Sequence, residues 1–136
     1  VVAVPPGPVG RMVVQRARHV VLVLARDVAS IRDTVSVKKL VSMTGSAGRV
    51  ITVLNGMGRK GYLPTKLIAE GIGAMPEVVI PDLPRQLPRA ANLGRPALRD
   101  SPILRRALGI LSQEIAAVRS ADRPRSIFAR LFGRGG

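Results

Sequence analysis

The chain has no cysteine, no tryptophan, one histidine and only three aromatic residues, Tyr62, Phe128 and Phe132. Without cysteine there is no disulfide and no thiolate metal site. A single histidine, His19, set at the start of an apolar run, disfavours histidine-based metal centres and serine–histidine triads. No apolar run approaches the roughly 20 residues needed to cross a bilayer as a helix, and no signal-peptide pattern is visible. Acidic residues are also few: 8 against 22 basic ones, for a net charge of +14. What remains is aliphatic. Hydrophobic residues make up 46% of 136, enough for one domain with a core of Val, Leu, Ile and Ala.

The charge has two explanations. A nucleic-acid or anionic-membrane partner is one. The other is an arginine bias of the genome, because 18 of the 22 basic residues are arginine and they are spread along the chain. No zinc finger, aromatic RNA-binding motif or basic-zipper heptad accompanies them, so nucleic acid is the lesser reading.

The most informative stretch is Arg49 to Gly61, RVITVLNGMGRKG. Val50–Leu54 reads as a strand buried on both faces, as in parallel sheets. The expected strand stops at Asn55, and a loop follows with glycines at 56, 58 and 61 and the cations Arg59 and Lys60. Ligands of open α/β sheets bind beyond the carboxyl ends of the strands, where Asn55 and this loop fall. Asn55 either presents its amide there or simply ends the strand and caps the turn. The glycine spacing suggests a phosphate-binding loop, but Tyr62 and Leu63 stand where Lys and Ser or Thr are required. Phosphoryl transfer by this chain alone is therefore not expected.

The remaining pattern alternates. Val1–Val4 reads as half a strand ended by Pro5-Pro6-Gly7-Pro8, and Val9–Arg18 as a short helix. Val20–Ala25 is a strand. A helix follows from Arg26-Asp27, capped by Asp27 or Ser30, with Val28, Ile31, Val35, Leu40 and Val41 as its apolar stripe. Pro64 opens a short helix with Leu67, Ile68 and Ile72 inward, stopped by Gly71 and Gly73. Val78–Ile80 is a fourth strand, closed by Pro81-Asp82. Pro84 suits a helix start, and Pro88 requires that helix to kink or begin later. Ser101-Pro102 caps the longest helix, whose seam of Leu104, Leu108, Leu111, Ile115 and Val118 is expected to pack on the sheet. The expectation is an α/β fold with an open, mostly parallel sheet and flanking helices over residues 1–121, then a basic tail over 122–136.

In that tail Ile127, Phe128, Leu131 and Phe132 fall on one side of a helix, and Arg123, Arg130 and Arg134 on the other. Such a segment is too short to be stable in water. It is expected either to dock back on its own domain or to fold on an anionic membrane or a partner through Ile127, Phe128, Arg130, Leu131 and Phe132.

Together these landmarks resemble the C-terminal half of the MinD/ParA-type deviant-Walker P-loop ATPases, closest to the CpaE/TadZ branch of Flp/Tad pilus assembly. VVLVLARDVASIRD is similar to a family strand with its following helix. VITVLNGMGRKGYLP is similar to the strand ending in Asn-Arg and its glycine loop. VVIPDLPRQLPRAANLGRP is similar to the I-P-D-D run with its later Ala, Gly and Pro, and SPILRRALGILSQEI to the final helix. The resemblance implies a partial P-loop fold without its phosphate-binding portion, which would lie upstream of Val1. It implies ATP with magnesium as the cofactor of a full-length homodimer, and none for this chain alone. It implies a cytoplasmic factor, peripheral at the inner face of the membrane, that positions pilus or secretion machinery at a pole. Adenine would be held by Asn55, Ile80, Pro81 and Asp82. Gly56 replaces the expected Arg, and Val2-Ala3-Val4-Pro5 lacks the expected acid, so the parent is expected to be a weak or inactive ATPase. The alternatives are a DNA-partition or division-site ATPase of the same fold and a nucleotide-independent scaffold.

Overall fold

The computed structural model describes residues 3, 7–43, 48–58 and 61–121, with side chains described as far as residue 116. Of the expected strand at Val1–Val4 only Ala3 is described, and it is in no strand; the cations Arg59 and Lys60 and the tail with Ile127, Phe128, Arg130, Leu131 and Phe132 lie outside the described residues. Within them the order is α1 (Pro8–Arg16), β1 (His19–Leu24), α2 (Val28–Met43), β2 (Arg49–Met57), α3 (Thr65–Ile72), β3 (Val78–Pro81), α4 (Gln86–Asn92) and α5 (Pro102–Ala121). The three strands form one open parallel sheet, ordered β1-β2-β3 and flanked by helices, so the chain is α/β as expected. No helix of the described residues is long and apolar enough to cross a membrane.

The sheet begins where the backbone runs short of partners. Arg49 N–H donates to the Arg18 carbonyl at 3.0 Å, and His19 then pairs with Arg49 and Leu24 with Leu54. On the other side β3 starts only at Val78, opposite Val53. Thr52, one residue earlier, would face an empty rung. Glu77 fills it: its carboxylate accepts the Thr52 amide at 2.8 Å and the Thr52 hydroxyl. A buried amide left unpaired costs about 1–3 kcal/mol, which is what this carboxylate prevents.

Leu24, Leu54, Ile68 and Ile72 form the buried cluster on one face, with Leu22, Ile31, Leu63 and Val79 packed around it. Each such burial stabilises by about 1.5–3 kcal/mol. Alternation turns Ile51, Val53 and Val78 to the other face, and they are buried too. α5 packs against β3, with Leu104 and Ala107 buried. Its cap is the expected one: Ser101 Oγ accepts the Leu104 amide at 3.3 Å, and Pro102 occupies the first turn. Glu114 then reaches back to form an ion pair with Arg49 at the start of β2.

The helices differ from the sequence pattern in which side they bury. On α2, Val28 and Val35 are exposed, whereas Thr34 and Val41 are buried. Thr34 is admissible inside because its hydroxyl donates to the Ser30 carbonyl at 2.7 Å. Asp27 provides the cap, its Oδ1 accepting the Ser30 amide at 2.7 Å. On α3, Ile68 and Ile72 point inward but Leu67 is half exposed. Gly71 does not stop that helix. It lies inside it, where a Cβ would come within 2.7 Å of Ile31 Cγ2, so its bareness sets the α2–α3 approach. Gly73 ends the helix with a left-handed φ of 79°, and the Lys38 ammonium caps the Ile72 carbonyl at 3.0 Å. Pro88 falls in the first turn of α4, where no intrahelical amide is required, so this helix begins later rather than kinking.

Candidate functional site

A parallel sheet delivers all of its strand exits to one end, and the candidate site residues collect there. Three connections leave this end: Ala25-Arg26-Asp27 after β1, the glycine loop after β2, and Asp82-Leu83 after β3. Each is tied to a neighbour. Leu63 N–H donates to the Arg26 carbonyl at 3.0 Å, and the Arg26 guanidinium donates back to the Leu63 carbonyl through Nε at 2.9 Å and Nη2 at 2.7 Å. The exit of β1 thus holds the far end of the glycine loop. Asp82 N–H donates to the Met57 carbonyl at 2.8 Å, locking the exit of β3 to that of β2. Thr65 Oγ1 lies 3.5 Å from Met57 Sδ, at the start of α3.

Contrary to expectation, β2 does not stop at Asn55. Asn55 pairs with Ile80 and Met57 with Pro81, so Gly56 is an extra residue in a bulge. Gly56 takes φ 78°, which glycine adopts without steric cost. The ladder survives the bulge, and Asn55 remains inside the strand. Its side chain is exposed and makes no hydrogen bond among the described residues. Asn55 is therefore neither the end of the strand nor a cap of the turn. An exposed carboxamide can both donate to and accept from the edge of a purine.

The four adenine-side residues are thus brought together. Asn55 and Ile80 are partners in the ladder, Pro81 follows Ile80, and the Asp82 amide is locked to Met57. Two conspicuous polar groups lie at the other end. His19 is the first residue of β1, and its Nε2 is buried without a partner. Glu77 precedes β3 and is used by Thr52.

The chemistry of the set is that of neutral hydrogen-bonding and apolar groups rather than of an anion or metal site. At the Asn55 end there is an unused amide and a fixed Ile-Pro turn. For magnesium there is no cluster of three His, Cys, Asp or Glu side chains among the described residues. Gly56 in the bulge and Gly58 and Gly61 in the loop that follows have positive φ, but no Lys-Ser or Lys-Thr pair accompanies them.

Two contributors escape a reading of the sequence. Arg26 reads there as part of a helix start. The available signal is a cation directly after a strand, in a connection that faces the ligand end. Met57 reads as a loop residue, although its carbonyl anchors Asp82. No protein-family model matches the chain, and no curated protein matches it in sequence.

Proposed function

We propose that this chain is the C-terminal part of a MinD/ParA-type protein of the pilus-assembly kind. In this reading it works as a cytoplasmic localisation and assembly factor whose strands, near their carboxyl ends at Asn55 and Ile80, take an adenine base. The observation that carries the reading is the state of Asn55: in register with Ile80, exposed, and not used by the fold. A strand residue whose amide caps nothing is available for a ligand. The neighbouring Ile80-Pro81-Asp82 turn, fixed through Met57, supplies a rigid wall for a flat heterocycle. ATP with magnesium, a second copy of the chain and the pilus or secretion machinery are the cofactor and partners that accompany the proposal.

The test is nucleotide titration of the chain joined to its phosphate-binding half. Asn55→Ala is expected to cost about 1–3 kcal/mol of ATP affinity and to leave GTP affinity unchanged, because one base-edge hydrogen bond is lost. Equal ATP and GTP affinity in both proteins would reject the adenine assignment. Localisation is tested separately by imaging a fluorescently tagged chain in cells that assemble the machine: a polar focus is expected, and uniform fluorescence speaks against the factor role.

A nucleotide-independent scaffold is the second reading. It asks for no phosphate or magnesium donors from this chain, and it needs only the rigid sheet end tied through Arg26–Leu63 and Met57–Asp82. It predicts that polar localisation survives Asn55→Ala.

A further inference from the structure

Residues 85–106 hold six arginines and one acid, Asp100. They form a tight corner: α4, a turn, and the first turns of α5. The corner is fixed from within. Leu93 and Arg95 amides donate to the Arg89 and Ala90 carbonyls at 3.1 and 2.9 Å, and the Ser101 amide to the Ala97 carbonyl at 3.1 Å. The Arg105 guanidinium is spent on the Leu98 and Arg99 carbonyls. Ala90, Ser101, Leu104 and Ala107 face inward.

The other side chains of the corner face outward. Arg85, Arg89, Arg95, Arg99 and Arg106 are exposed, and none has an ion-pair partner among the described residues. Between them stand four large aliphatic residues that the fold does not bury: Leu87, Leu93, Leu98 and Ile103, from 39% to 60% exposed. Isolated exposed leucines need no explanation, but four within 17 residues, interleaved with five free guanidiniums, make an amphipathic surface.

We infer that this α4–α5 corner is a docking surface for the face of a bilayer containing anionic lipid. Charge complementarity selects a polyanion, and the aliphatic residues select among polyanions. A nucleic-acid backbone would engage the arginines but has no use for four aliphatic side chains, and the corner has no aromatic residue to stack on bases. A lipid interface takes both, with guanidiniums among the headgroups and Leu and Ile at the acyl boundary. The inference rests on exposure and charge in the folded domain. It is independent of the adenine-side reading and of the tail.

The experiment is sedimentation of the full chain with phosphatidylcholine vesicles in which about a third of the lipid is phosphatidylglycerol. Arg89→Ser/Arg95→Ser/Arg99→Ser is expected to weaken binding roughly a hundredfold. Leu93→Ser/Leu98→Ser/Ile103→Ser is expected to weaken it about tenfold or more at unchanged charge. Phe128→Ser/Phe132→Ser, in the tail, is expected to leave most of the binding in place. Hydrogen exchange of the unmodified chain, with and without vesicles, reads the same surface without any variant: slowed exchange across 85–106 is expected. Three results would overturn the inference. The aliphatic triple could bind as well as wild type, binding could follow the tail phenylalanines alone, or the chain could bind double-stranded DNA while exchange across 85–106 ignores vesicles.

Discussion

β1 and β2 are nearly the same sentence written twice, HVVLVL and RVITVL, paired residue for residue. Their surroundings are opposite. In β2 every residue from Ile51 to Leu54 is buried, including a threonine. In β1 Val20 and Leu24 are buried, while Val21 is 37% and Val23 65% exposed. β2 has strands on both sides, and its Leu54 lies in the buried cluster with Ile68 and Ile72 of α3. Among the described residues β1 has a strand on one side only. Composition sets how apolar a strand is, but its place in the sheet sets how much of that apolarity is used.

The largest test of this contrast is a pair of truncations. Leu54→Ala is expected to destabilise by about 3–4 kcal/mol, because the buried cluster with Ile68 and Ile72 loses three heavy atoms and cannot fully collapse. Val23→Ala is expected to cost about 0.5 kcal/mol, as at any half-open surface position. Urea unfolding measures both, and comparable losses would mean that β1 is covered in solution.

A second pair extends the contrast to the helices. Gly71→Ala is expected to cost about 1–2 kcal/mol. The new methyl meets Ile31 Cγ2, a β-branched atom with little freedom to move. At Gly109 on α5 a Cβ meets nothing within 4 Å, so Gly109→Ala is expected to gain about 0.5–1 kcal/mol of helix propensity. Ile31→Ala should remove the penalty at Gly71 in a double-mutant cycle.

The smallest effect concerns the rung at Thr52. Burial alone would raise the Glu77 carboxyl. The Thr52 hydroxyl and amide, its own amide and nearby Lys38 outweigh this and hold it below the ordinary 4.5. A depressed folded value contributes stability that is complete above the unfolded value and fades as pH falls from about 4.5 through the folded one. Glu77 is mostly exposed, so solvent screens much of the effect. Thermal melts over this range should show Glu77→Gln with a flatter acid limb than wild type and a neutral-pH Tm lower by about 1–3 °C. Parallel acid limbs would show that the rung does not depend on the charge.

The fold class was legible because strand runs and helical stretches alternate, and that alternation leaves little choice but a parallel sheet. Ser101-Pro102 and Asp27 announced their helices correctly, since a cap is a local matter. Facing was harder to read. Val28, Val35 and Leu67 match an inward stripe by spacing, yet the buried side follows how α2 and α3 meet, and their close approach rests on a glycine–isoleucine contact 40 residues apart in the chain. Thr34 looked polar because its self-satisfying bond to Ser30 is invisible in a hydropathy pattern. At the site, the meeting of Asn55 with Ile80-Pro81-Asp82 was legible as two strand ends on one edge. The bulge at Gly56 was not, because Asn-Gly is also a strong turn signal. Arg26 was missed for a related reason: its partner, Leu63, lies across the sheet rather than along the chain.

The register has a kinetic consequence. Each β1 residue meets a partner 30 positions later, and Val53 meets Val78, 25 positions on. The described sheet has no hairpin, so no rung forms before a whole helix-bearing crossover has closed. Such a topology folds slowly, and until it closes both aliphatic runs are open to other chains. Refolding yield should therefore fall as protein concentration rises, well before equilibrium stability is at issue. A chain synthesised from its N-terminus exposes HVVLVL for the time it takes to make VITVL, the segment that covers one edge of it.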